Sequence, residues 1–189
     1  MTATTTNRLI LLGLLVLMTA TRSHHFASVT HLPDASWAVF FLAGFYLQGW
    51  RSFAGLLGLA ALSDYVAIQW FGVSAYCISP AYPMLIPAYG SLWLAGRWYA
   101  RHHQFRWSTL LPLAAAVVMG AALCEVLSGG SFYMLAGRSA EVSMPGYAAQ
   151  FAQFFPASLQ GMILYLGLAA LIHAVIATTR HPHSQAAIR

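Results

Sequence analysis

Six nearly unbroken apolar stretches, with arginines gathered in the gaps between them, constrain this chain more than any other feature. They run over about residues 9–20, 36–47, 53–70, 83–99, 107–127 and 156–178, and several approach the roughly 20 residues that carry a helix across a bilayer. The first two are short and can extend into their flanks. With 59% hydrophobic and 7% charged residues in 189 positions, no water-facing surface could be covered. The expected fold is therefore all-α and integral to a membrane: one six-transmembrane-helix bundle, a single domain over residues 1–189, with the lipid bilayer as its surroundings.

Charge placement tests that expectation without hydropathy. If both termini are cytoplasmic, Arg8, Arg51, Arg97, Arg101, Arg106, Arg180 and Arg189 fall inside and only Arg22 and Arg138 outside, which is the positive-inside bias. Trp37, Trp50, Trp70, Trp98 and Trp107 fall at span ends, where an indole sits well between lipid and water. The net charge of +5 is thus a topology signal, and no nucleic acid partner is needed to explain it. Arg8 followed by residues 9–18 also has the outline of a signal peptide, but Met18 and Ala20 make a poor small-residue pair for cleavage after Ala20.

The chain contains no lysine, which excludes a G-x-x-x-x-G-K-[ST] phosphate loop and any lysine Schiff base. H-E-x-x-H, C-x-x-C and G-x-S-x-G are also missing, which argues against zinc protease, dithiol redox and serine hydrolase chemistry. No internal repeat points to an inverted-repeat transporter. The polar residues that remain lie mostly on the expected outer side: His24, His25, His31, Asp34, Cys77, Glu141 and the connection 128–155. That connection is long and rich in aromatics (Phe132, Tyr133, Tyr147, Phe151, Phe154, Phe155), and it reads as a lid over an outward-facing pocket. Small residues recur at four-residue spacing in Ala54/Gly58, Ala116/Gly120 and Ala157/Gly161, as expected of bundle packing.

Asp64 lies nearly two turns inside the third span, where a carboxylate either faces a cavity or finds a partner such as Arg22 or a bundle serine. Glu125, nearer a span end, reads as structural or snorkelling. Cys77 sits in the loop segment 76–83, YCISPAYP, and has three readings: an inert small hydrophobe, a disulfide partner of Cys124, or a soft thiolate ligand. A lone cysteine suits an axial position on a metal whose other donors come from a macrocycle. Adjacent His24 and His25 would point about 100° apart on a helix, so at most one faces a pocket. His102, His103, His181 and His183 read as inner-surface decoration and His173 as a satisfied bundle histidine.

The size, the six spans, the histidine-bearing first outer loop, Asp64 and above all the YCISPAYP segment resemble the BtuM family of bacterial cobalamin transporters, itself similar to the substrate-binding S-components of energy-coupling-factor (ECF) transporters. The resemblance covers essentially the whole chain and implies uptake of cobalamin (vitamin B12) across the bacterial inner membrane, with no intrinsic cofactor. It implies that Cys77 is the axial cobalt ligand, on the face otherwise held by the dimethylbenzimidazole base, and that His25, Asp64 and Tyr82 line the same site. A thiolate opposite an upper cyanide would weaken the cobalt–cyanide bond, so loss of cyanide becomes plausible in the presence of a reductant. S-components dock on an ECF energising module through an alanine-x-x-x-alanine motif in the first span. Residues 9–20 lack it, which favours solitary action.

A different class of protein, a membrane cytochrome, would take haem between His25 or His31 and His173. Those histidines sit at different depths, whereas paired axial ligands belong at similar depths on facing helices.

Overall fold

A computed structural model describes residues 3–22, 32–75, 78–104, 106–136 and 142–180. His24, His25, His31, Tyr76, Cys77, Arg138, Glu141, His181, His183 and Arg189 lie outside the described residues. Six α-helices follow one another: α1 (Ala3–Arg22), α2 (Ser36–Tyr46), α3 (Trp50–Trp70), α4 (Leu85–His102), α5 (Leu110–Leu135) and α6 (Met144–Arg180). Single 3-10 turns, Tyr82–Met84 and Trp107–Thr109, lead into α4 and α5. No strand occurs among the described residues.

Three of the six, over Trp50–Trp70, Trp107–Leu135 and Met144–Ala177, are long and apolar enough to cross a membrane. Large apolar side chains stand outward on them, such as Leu62, Leu111, Met119, Leu164, Leu171 and Val175. Such a surface suits lipid and would be a liability in water.

α2 is built differently. Its 11 residues rise only about 16 Å, roughly half of a hydrocarbon core near 30 Å. It compensates by burial: Ser36 and every residue from Ala38 to Gly44 are enclosed by neighbouring helices, so this helix scarcely meets lipid. Its closest partner is α4, and the two cross backbone on backbone at a pair of glycines. A Cβ on Gly44 would run into the carbonyl oxygen of Trp93, and one on Gly96 into that of Phe41. The contact is reciprocal, so neither helix can retreat from one collision without losing the other fit. Beside the crossing, Phe40 stacks on Tyr89 at 4.3 Å between centroids.

α5 reaches α4 through a third glycine. A Cβ on Gly120 would lie 2.8 Å from that of Ala95, and the buried carbonyl of Gly120 accepts a hydrogen bond of 3.2 Å from Ser91 Oγ. Of the small-residue pairs in the sequence, Ala116/Gly120 therefore packs inside the bundle. Ala54 and Gly58 instead lie exposed, with open space where a Cβ of Gly58 would stand.

The lid expected over residues 128–155 is mostly helix. α5 continues through Ser128, Gly129 and Gly130 to Leu135, and α6 starts at Met144 and runs on through Pro156. Local bonding explains the extension of α5: Ser128 Oγ donates to the Cys124 carbonyl at 2.8 Å and Ser131 Oγ to that of Ser128 at 2.9 Å. Both hydroxyls are thereby held by the helix rather than diverted into a turn. Tyr147, Phe151 and Phe155 then recur every fourth residue along α6; Phe151 and Phe155 stack at 4.7 Å, and Phe155 meets Trp37 of α2 at 6.4 Å.

Gly96→Ala should destabilise the protein by about 1–3 kcal/mol, because the added carbon meets backbone rather than a movable side chain. Gly58→Ala should be neutral or stabilising by up to about 1 kcal/mol, since it only raises helix propensity. Thermal unfolding of detergent-purified variants measures the contrast, and equal effects would contradict the crossing geometry.

Candidate functional site

At the end of the bundle where α1 finishes and α2 begins, a polar network lies among apolar helices. Arg22, the last residue of α1, is 2% exposed, and Asp64 of α3 is 6% exposed. Two parallel hydrogen bonds join them: Arg22 Nε donates to Asp64 Oδ1 and Nη2 to Oδ2, both at 2.8 Å. Planar guanidinium and carboxylate match in this forked geometry, the strongest form of the pair. The remaining guanidinium nitrogen, Nη1, donates to Ser36 Oγ of α2 and to Tyr89 OH of α4, each at 2.8 Å. Tyr82, in the turn before α4, donates its hydroxyl proton to Asp64 Oδ2 at 2.8 Å.

Asp34 completes the chain of contacts. One of its carboxylate oxygens accepts from Ser36 N at 2.9 Å and Ser36 Oγ at 2.7 Å, closing an Asx-type turn at the start of α2. The short segment before α2 is also pinned from two sides, by Ala35 N donating to Thr21 Oγ1 at 3.1 Å and by Tyr165 OH donating to the Pro33 carbonyl at 2.7 Å. One ion pair thus organises residues from α1, α2, α3, α4 and the Tyr82 turn.

This network forms one wall of a cavity of about 390 Å³. Arg22, Asp34, Asp64, Tyr82 and Tyr89 line it, and α5 and α6 supply Glu125, Phe132, Gln150 and Phe154. Ile78, next in the chain to Cys77, is also on the wall. Of the residues expected at the site, Asp64 and Tyr82 are brought together directly. His25 and Cys77 lie outside the described residues. Asp64 lines the cavity and pairs with Arg22 at once, so two roles weighed as alternatives coexist. Cys124, the alternative disulfide partner of Cys77, is a free thiol buried in α5.

Sequence reasoning missed two parts of this wall. Arg22 was weighed only as a structural partner, yet it faces the cavity; its proximity to Asp34 and Asp64 at one end of the chain's spans was the available signal. Glu125 was read as structural or snorkelling; at 7% exposed and facing the cavity it does not snorkel. The signal there was Gly129, one helical turn on: the carboxyl lies in the space that a Cβ at that position would enter.

A second cavity of about 410 Å³ lies at the opposite end of α2 and α4 and is lined largely by apolar side chains. Within it, Tyr46 OH and His173 Nδ1 are hydrogen-bonded at 3.0 Å, as are Tyr99 OH and His103 Nδ1. The two imidazoles meet nearly at right angles with centroids 5.7 Å apart. His103 is therefore not surface decoration, whereas His102 is exposed and rests on Trp98. A haem held between His173 and an outer-loop histidine gains no support from this arrangement, because His173 turns toward Tyr46 and His103. Among the described residues no group of three or more histidines, cysteines and acids gathers to hold a metal ion.

No family model matches the chain, and no curated protein matches it. The assignment of a role to the site therefore rests on its residues.

Two outcomes follow from these geometries. Arg22→Met or Asp64→Leu alone leaves an uncompensated buried charge and should cost about 3–5 kcal/mol, while the two together should recover most of it. A double-mutant cycle in mixed micelles checks this; additive losses would rule out the pair as the organising contact. At the other end, burial and then the nearby His173 lower the proton affinity of His103, in the α4–α5 connection. The unfolded chain binds that proton more readily, so stability should fall as pH drops below the ordinary histidine range. His103→Phe should flatten that part of the pH–stability curve.

Proposed function

We propose that this protein captures cobalamin from the outer face of the bacterial inner membrane and carries it inward, with Cys77 as the axial ligand to cobalt. The observation that supports this reading most is the cavity wall itself: Asp64 and Tyr82 joined at 2.8 Å, with the residue beside Cys77 on the same wall. Cavities of about 300–1,000 Å³ are usual for small molecules, and 390 Å³ is at the small end of that range. A corrinoid would enter by one edge, its amides meeting tyrosine hydroxyls and carboxylates while aromatic and aliphatic side chains flank the ring. In this reading His25 contributes from the first outer loop.

The six helices would all cross the membrane with both termini cytoplasmic. Burial of Arg22 favours that orientation, because its charge is consumed by Asp64 and ceases to count as a surface charge at the outer end. The opposite end keeps Arg51 at the start of α3, Arg101 in the last turn of α4 and Arg106 after it. No docking motif for an ECF module is present in residues 9–20, so the protein is read as acting alone. With cyanocobalamin as cargo, thiolate ligation opposite cyanide would labilise it. One electron from an external reductant would take cobalt(III) to cobalt(II), and cyanide would leave with its bonding pair.

The visible spectrum of the purified protein tests this directly. Added cyanocobalamin should bind with its absorption bands shifted from those of the free vitamin, and Cys77→Ala should abolish the shift while leaving the protein folded. A haem Soret band in the isolated protein, or no corrinoid binding at all, would refute the assignment. In a transport-deficient bacterium that depends on cobalamin, Cys77→Ala at equal expression should slow growth on limiting vitamin.

A further inference from the structure

Three carboxylates line the cavity, and they are not equivalent. Asp64 is held by Arg22 and Tyr82, and Asp34 by Ser36. Glu125 has neither an ion pair nor a hydrogen bond among the described residues, although it is 7% exposed. Its own helix offers Cys124 and Ser128, but the Ser128 hydroxyl is committed to the Cys124 carbonyl. From α6, Gln150 directs its amide to the Gly129 carbonyl at 3.4 Å, and the buried Tyr147 hydroxyl has no hydrogen-bond partner among the described residues.

A carboxyl removed from bulk water is favoured by a donor, and among the described residues the protein supplies Glu125 with none, so its oxygens are left facing the cavity. Gly129, within the same helix, costs stability relative to alanine, and the carboxyl lies in the space that its Cβ would enter. An unsatisfied acceptor lining a ligand-sized cavity finds its donor in the ligand. Resting on the reading of this cavity as a cobalamin site, we propose that Glu125 is a specificity-determining contact that accepts hydrogen bonds from a peripheral carboxamide N–H of the corrin ring. The Arg22–Asp64 network and Glu125 then hold the ligand from different helices, one as a satisfied polar wall and the other as an acceptor completed by loading.

Glu125→Gln keeps the shape and Glu125→Leu removes the polar group; both are to be measured beside wild type for ligand-free thermal stability and for binding of cyanocobalamin and its monocarboxylic acids, in which one amide is replaced by a carboxylate. Ligand-free melting temperature should stay the same or rise in both variants. Affinity for cyanocobalamin should fall by about ten- to a hundredfold in Glu125→Leu, as for loss of a hydrogen bond to a charged group. Wild type should reject at least one monocarboxylate isomer, and Glu125→Gln should narrow that discrimination. Unchanged affinity and discrimination in both variants would overturn the proposal while leaving cobalamin capture standing, as would a loss of binding matched by a loss of ligand-free stability. Failure of wild type to bind any corrinoid would overturn both.

Discussion

The forked bond between Arg22 and Asp64 is the contact on which the rest of this structure depends. Two ions sealed between apolar helices are each expensive to remove from water, and their attraction repays that only when geometry is close to ideal and the leftover donors are used. The fork is symmetrical at 2.8 Å, and the remaining guanidinium nitrogen donates to Ser36 and Tyr89, so four of the five N–H groups are used. Because the partners come from α1, α2, α3 and α4, the pair fixes the mutual register of four helices at one end. It also shapes the cavity wall, since Tyr82 is tethered to the same carboxylate. Stability and binding surface are therefore one feature here.

At the other extreme of polarity, the α2–α4 crossing works by the absence of side chains. Gly44 and Gly96 allow the backbones to touch, and the enclosed α2 can then be shorter than any membrane-crossing helix needs to be. Close backbone approach maximises dispersion contacts where lipid offers no hydrophobic driving force. The two devices divide the labour: the ion pair specifies register at one end, and the glycine crossing specifies distance along the middle.

Much of this was legible in the sequence. Each of the six apolar stretches corresponds to a helix, because apolar content over many residues is a signal that tertiary context rarely reverses. Helix ends were less legible. Ser128, Gly129 and Gly130 carry the composition of a turn, yet the serine hydroxyls bond back to their own helix while Glu125 and the Tyr147 ring occupy the space beside the two glycines. The fourfold spacing of Tyr147, Phe151 and Phe155 was a helical signal that their aromatic character obscured. Identical spacing had unequal meaning in Ala54/Gly58 and Ala116/Gly120, since only the partner surface decides whether a small residue is a contact. Asp64 stood out by depth alone, whereas for Glu125, left between a structural and a snorkelling role, nearness to a span end says nothing about which way the side chain turns. Nothing in a one-dimensional pattern placed His103 beside His173.

The separation of Arg22 from Asp64 along the chain also bears on synthesis. The two are 42 residues apart, and at about 5–20 residues per second a ribosome takes about 2–8 s to make the acid after the base. Asp34 is made soon after Arg22, but the carboxylate that clasps the Arg22 guanidinium in a fork is not made until α3 is. The contact that ties α1 to α3 therefore forms only after α2 has been made, so these three helices reach their register as a set.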